Sequence, residues 1–384
     1  MNPIYAAMPT TIFSKMSALA RELGAINLGQ GFPDTDNGAG DVVKAAADAL
    51  LTQSNQYPPT WGIPELRQAV AAHYRHHQGL DLDWSSEVIV TSGATEALAA
   101  AIFGLVTPGD EVLLIQPLYD AYLPLVERAG GIAKLIDLKP PEWRIDPEVL
   151  KAAFGPRTRL LILNNPVNPT ATMWSREDLT LLAELCIRHD VIAICDEVWE
   201  HVIFGGEHIP LITLPGMRDR TVKIGSAGKI FALTGWKVGW LIAAPPIADV
   251  VAKAHQFLTF TTPPNLQSAV AVGLAKEDSW FTSMRAGFAR QRDRLNDGLK
   301  KTGYVTLPSD ATWFLSIDLA ASGITIDDEQ FAERMLREGG VATIPMSAFY
   351  ARDPIRSVVR LCFTKNAETI DLAIDRFAMM RSCF

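Results

Sequence analysis

The sequence predicts an α/β protein in which a domain built on a largely parallel sheet is joined to a smaller α+β domain. From about residue 86 to residue 245, short apolar runs alternate with helical patterns. Strands that recur between helices build parallel sheets. After residue 264 the order changes, with long helical patterns first and mixed strands and helices behind them. A chain of 384 residues also exceeds what one ordinary core absorbs, so two domains are the expectation.

In chain order, VIVT (88–91) leads into the helical TEALAAAIFGL, and EVLLIQ (111–116) precedes a helical pattern that stops at Gly130 and Gly131. LLILNN (160–165) is followed by Ser175-Arg-Glu-Asp178, a capping-box-like helix start. VIAIC (191–195), TVKIG (221–225) and VGWLIAA (238–244) complete the series. Helical patterns then cover about 264–302, followed by YVTL, WFLSI, a helix near 327–338, VATIP, VVRLCF and a last helix. The first ~40 residues read as turn-rich and are expected to pack with this C-terminal part. The boundaries expected are a large domain over 43–275 and a small one formed by 1–42 and 276–384. Ligands of such sheets collect at the carboxyl ends of the strands.

Composition excludes several classes. The net charge is −8 and no dense Lys/Arg run exists, which argues against nucleic acid as the main partner. The most apolar long stretch, 88–106, is broken by Ser92, Gly93 and Glu96, so it is no membrane span. No signal peptide is visible in MNPIYAAMPTTIF. Cys186, Cys195, Cys362 and Cys383 include no C-x-x-C pair, which suggests reduced thiols and a cytoplasmic protein.

Three motifs fail on inspection. Gly29-Gln-Gly31-Phe-Pro-Asp34 has two glycines of a dinucleotide fingerprint, but Asp34 replaces the third and Pro33 spoils the helix start. Gly225-Ser-Ala-Gly-Lys229 is too short for a P-loop and lacks the following Ser/Thr. His73, His76 and His77 have helical spacing, yet AAHYRHHQG reads as a solvated helix end rather than a metal clamp.

The passage that carries chemistry is GSAGKIFALTGWKVGW (225–240). It sets Lys229 directly after a glycine, a hydroxyl at Ser226 and a second cation at Lys237. A nucleophilic lysine needs an accessible amine of depressed pKa, and a phosphate needs hydroxyls, backbone N–H groups and a cation. Taken alone, the passage also reads as a surface loop with two lysines.

This passage resembles the lysine signature of fold-type I, class I/II aminotransferases, enzymes that use pyridoxal 5′-phosphate (PLP). The kynurenine/glutamine and methionine aminotransferase branch is closest, with N-succinyldiaminopimelate aminotransferases nearby. NLGQGFPD (27–34), NQYPP (55–59), TSGATEAL (91–98), QPLYDAY (116–122), NNPVNPT (164–170), CDEVWEH (195–201) and VRLCF (359–363) carry it in family order over nearly the whole chain. The resemblance implies the type I PLP-dependent transferase fold, with a mostly parallel seven-stranded sheet in the large domain, and a homodimer with shared active sites.

It also implies roles, each beside a plainer reading. Lys229 would bind PLP as a Schiff base and act as proton carrier. Asp196, otherwise a capping or salt-bridged carboxylate, would keep the ring nitrogen protonated so that the ring is an electron sink. Asn168, otherwise a turn residue, would bond the ring oxygen and help hold the substrate. Tyr119, otherwise a core aromatic, would stack on the ring. The backbone N–H groups of Ala94 and Thr95 at a helix start would hold the phosphate with Ser226 and Lys237. Tyr57, otherwise a core tyrosine, would reach that phosphate across a dimer interface. Arg360, otherwise salt-bridged at an edge, would take the substrate α-carboxylate, with Gly31 close to it through its backbone.

Two positions depart from the family. Trp199 stands where most relatives have a tyrosine whose phenol donates to the ring oxygen, and an indole N–H is a differently placed donor. Ala171 replaces a usual glycine. The reaction expected is ping-pong transamination between an amino acid and a 2-oxo acid. The alternatives are β-elimination from cysteine S-conjugates, an N-succinyldiaminopimelate substrate, and remotely a PLP-binding regulator domain. The resemblance favours neutral, sulfur-containing or aromatic amino acids, with Ile12 and Phe13 among the residues expected to set the choice.

Overall fold

The computed structural model describes residues 1–34 and 39–384. Among the described residues thirteen strands run in chain order: β1 (Ile26–Asn27), β2 (Val88–Thr91), β3 (Glu111–Gln116), β4 (Ile132–Asp137), β5 (Thr158–Asn164), β6 (Ile192–Asp196), β7 (Thr221–Ser226), β8 (Gly239–Ile242), β9 (Val305–Thr306), β10 (Phe314–Asp318), β11 (Val341–Ala342), β12 (Ile344–Pro345) and β13 (Val358–Cys362). Seven of them form one sheet in the order β2-β8-β7-β6-β5-β3-β4, parallel except for β8.

Alternation along the strands builds a core on each face of this sheet. Leu114, Ile162, Ile194 and Val222 join one cluster, while Leu113, Leu161, Ala193 and Cys195 join the other. Burial on both faces explains why these strands read as continuous apolar runs. β4 is the exception and was absent from the expected series. It is an edge strand, only partly buried, and its Lys134 and Asp137 break the apolar run.

The remaining strands form a second, four-stranded sheet, β12-β13-β10-β9, and a parallel pair of β1 with β11. The first cluster continues into this part through Phe314, Leu315, Val359 and Leu361. The N-terminal segment does pack here, but it is not mainly turns. A helix spans Ile12–Glu22, started by Thr11, whose side chain accepts from the Ser14 N–H at 3.3 Å. Ser175 caps Arg176–His189 as its pattern indicated, accepting from the Asp178 N–H at 3.1 Å. The expected helical stretch 264–302 is two helices, Pro264–Leu274 and Asp278–Lys301. Among the described residues no helix is long and apolar enough to cross a membrane.

Candidate active site

The carboxyl ends of β2, β5, β6 and β7 open on one cavity of about 180 Å³. Its walls include Ala94, Thr95, Tyr119, Asn168, Asp196, Trp199, Ser226, Lys229 and Lys237, nine of the twelve residues expected at the site. Register brings them together: Asn164 pairs with Asp196, Asp196 with Ile224, and Ser226 with Gly239.

Lys229 sits in the short helix Ala227–Ile230 that follows β7, with its amine open to the cavity. Burial brings that amine down to about 8, against the opposing charge of Asp196. Asp196 ends β6 and is itself buried. Burial raises its carboxyl above the ordinary carboxylate range, although Tyr122 donates to its Oδ2 at 2.6 Å. Its Oδ1 is buried without a hydrogen-bond partner. Such an orphaned acceptor calls for a donor, and a protonated pyridine nitrogen is one.

Another wall of the cavity is built as a cradle that suits an anion. The 13-residue helix Gly93–Leu105 begins there, presenting free N–H groups and the positive end of its dipole. Gly93 has φ +76°, and a Cβ placed on it would lie 3.4 Å from Lys237 Nζ. A Cβ on Gly239 would stand 2.9 Å from the Ala94 nitrogen, so only glycine lets β8 run beneath this helix start. The orphaned carboxylate and the cradle together fit PLP.

Arg360 and Gly31 do not line this cavity, but Arg360 adjoins it. The guanidinium is 2% exposed and donates from Nη1 to Asn168 Oδ1 at 2.8 Å and from Nη2 to the Gly29 carbonyl at 2.9 Å. Among the described residues no carboxylate bonds it, so the expected alternative of an edge salt bridge finds no partner there. Rings of Phe314, Phe349 and Phe13 surround it at 3.9, 4.8 and 5.5 Å. Gly31 approaches Phe314, where an added Cβ would come within 2.7 Å of the ring, while Gly29 makes the bond to Arg360. Tyr57 is 85% exposed, outside the cavity of its own chain, with its ring edge-on to Phe260.

Sequence reasoning missed Tyr122 and Asn164, both inside motifs it had singled out. Tyr122 lies three residues beyond Tyr119 in the same motif, and that proximity was the available signal. Asn164 accepts from the Asn168 N–H at 2.7 Å and donates to the Asp196 carbonyl at 2.8 Å, fixing the loop to β6. Ala171, in place of the family glycine, does adopt φ +62°. The histidine segment needs correction. His76 is exposed beside Asp278, but His73 is buried, its Nε2 2.7 Å from that of His201. His73 shares a helix face with Val70 and Tyr74, which packing draws inward.

Sheet order, lysine and cradle define a class, the PLP-dependent transferases of fold type I. Residues 24–377 match the family model of class I and II aminotransferases. The methionine aminotransferase of Escherichia coli K12 is 40% identical over 372 residues, covering 97% of this chain and 96% of that one. Human kynurenine–oxoglutarate transaminase 1 is 35% identical over 388 residues, covering 92% and 91%. The solved structure of N-succinyldiaminopimelate aminotransferase from Mycobacterium tuberculosis superposes with a TM-score of 0.96 at 42% identity, covering 99% and 100%. The chain therefore belongs to the class I and II aminotransferases, PLP-dependent transaminases that act on amino acids and 2-oxo acids.

Proposed function

We propose that Lys229 anchors PLP covalently and that Asp196 Oδ1 accepts the ring N–H. The observation that carries this is Asp196: one oxygen is bonded by Tyr122, while the other is buried and unpartnered. PLP, when bound, supplies an electron-withdrawing ring that takes up the electron pair left at the substrate Cα. Lys229 Nζ, whose pKa burial lowers to about 8, would remove and return the Cα proton. Ala94, Thr95, Ser226 and Lys237 would hold the phosphate, Tyr119 would stack on the ring, and Asn168 and Trp199 would bond its oxygen. Arg360 receives the α-carboxylate, with Gly31 beside it. Borohydride reduction followed by peptide mapping tests the assignment: the label belongs on Lys229, and a label elsewhere removes it.

The substrate class we propose is a neutral amino acid with an aromatic or thioether side chain, consistent with the three phenylalanine rings around Arg360. An N-succinyldiaminopimelate substrate would need further cations. Lys15 and Arg356 line the neighbouring groove, but Arg356 is already paired with Glu329 at 2.8 Å. A panel of amino donors with several 2-oxo acids decides between them. Pyruvate released from a cysteine S-conjugate without any acceptor would instead favour β-elimination.

We propose a cytoplasmic homodimer in which Tyr57 of the partner subunit completes the phosphate site. Supporting this, Tyr57 and Phe260 meet edge-on and both are exposed, as is Phe257, and Thr259, next to Phe260 in the chain, lies 2.9 Å from the hydroxyl of Ser92, beside the cradle. The free cysteines, three of them buried, suit a reducing compartment. The domain division retained is 43–275 against 1–42 with 276–384, which agrees with the separate strand sets of the two larger sheets.

A further inference from the structure

Lys229 projects into a corner made by two indoles from distant parts of the chain. Trp199 stands three residues beyond β6, and Trp313 directly precedes β10. Their rings meet edge to face with centroids 4.9 Å apart and planes at 78°. Lys229 Nζ lies 4.8 Å from the Trp199 ring centre and 5.2 Å from that of Trp313. Both indoles are buried, and each turns its ring to the amine; Trp313 Nε1 has no hydrogen-bond partner. Phe314 and Phe288 pack behind the pair and fix its orientation.

A cation within about 6 Å of a ring centre is attracted by the ring quadrupole, most strongly for tryptophan and more so where water is excluded. We infer that Trp199 and Trp313 form an indole box that stabilises the protonated amine of Lys229 when that amine is free. This rests on the reading of Lys229 as the cofactor lysine, and it makes the two tryptophans positioning residues for its proton transfer. The charged or titratable groups facing Lys229 are Asp196 from β6, Lys237 from the loop after β7, and Arg360 and Cys362 from β13. Burial, Lys237 and Arg360 all disfavour the ammonium. Asp196, the one carboxylate among them, is also the group that faces the ring nitrogen once PLP is bound. The indole faces then remain as a source of stabilisation that the cofactor does not claim. They also give the family departure at Trp199 a consequence, since a phenol ring attracts a cation less than an indole does.

Competitive acetylation of the cofactor-free protein, with the Lys229 peptide quantified by mass spectrometry against pH, reads the amine's midpoint directly. Trp313→Phe and Trp199→Phe keep a ring in place, whereas Trp313→Leu removes it. The midpoint should fall in the order Trp, Phe, Leu, reaching about half a unit to one unit for Leu. A midpoint that stays put or rises in the Phe variants overturns the box, because lost desolvation alone would move it upward. The Phe variants decide the matter even if the Leu variant does not fold. Borohydride mapping of the wild-type holoenzyme separately tests whether Lys229 is the cofactor lysine, so the two readings fail independently.

Discussion

Arg360 lies buried among three phenylalanine rings, and its hydrogen-bond acceptors among the described residues are neutral oxygens. Burial pulls its guanidinium down to about 9, against the opposing influence of Cys362 and Asp120. Its Nε is left without a partner. An arginine in this condition is poised for an incoming carboxylate, and lysine cannot reproduce its planar fork. Arg360→Lys should lower kcat/KM for amino acids about tenfold to a hundredfold, since a hydrogen bond to a charged group contributes about 1.5–3 kcal/mol. Most of the loss should appear in KM; an unchanged KM would remove Arg360 from substrate binding. The sequence showed that an arginine stood in a strand and needed a reason. It did not show the phenylalanine cage, whose members come from residues 13, 314 and 349.

At the scale of elements, the turn after β6 is held to β7 by buried charge. Lys223 pairs with both Glu197 and Glu200, at 2.8 Å from Glu200 Oε2. Tyr74 donates to Glu200 Oε1 at 2.6 Å, and Gln78 donates to its Oε2 at 2.7 Å. Removing the cation would strand two buried carboxylates. Lys223→Met should therefore cost about 3–5 kcal/mol in denaturant unfolding, and a loss within about 0.5 kcal/mol would contradict the network.

The same network predicts sensitivity to acid. Burial lowers His73 from an ordinary value near 6.5 to about 4, so the folded state holds it neutral where the unfolded chain would be protonated. Its stabilising effect is complete above pH 6.5 and is lost as pH falls toward 4, by about 3 kcal/mol at roughly 1.4 kcal/mol per unit. Glu200 adds to this at lower pH. Burial would raise its carboxyl, but Lys223 and His201 prevail and hold it at about 2, so its contribution present above about 4.5 disappears toward 2. Chemical denaturation between pH 6.5 and 4 should show stability falling, and a flat profile in that window would refute the assignment to His73.

For the whole molecule, the proposed dimer predicts that sites are shared between two copies of the chain. Tyr57→Phe should weaken cofactor retention about tenfold, the effect of one hydrogen bond to a charged phosphate. The decisive measurement mixes that variant with Lys229→Ala and refolds them together. Hybrid dimers should contain sites with both Lys229 and Tyr57, and activity should return above that of either parent. No recovery would mean that each chain builds its site alone.

The sequence by itself determined the α/β class, six of the seven strands of the main sheet, and the identity of the lysine loop. These are local properties: apolar runs buried on both sheet faces, and a glycine-rich turn whose residue types admit few chemistries. Tertiary structure decided the rest. Only tertiary contact could join the hydroxyl of Tyr122, at the start of the helix Tyr122–Arg128, to Asp196 at the end of β6 and leave one oxygen free. Only packing could draw His73 inward, and only the approach of β10 to the turn after β6 could set Trp313 beside Trp199. The reason is physical: a side chain's charge state and partners depend on groups distant in the chain, and no local pattern encodes them.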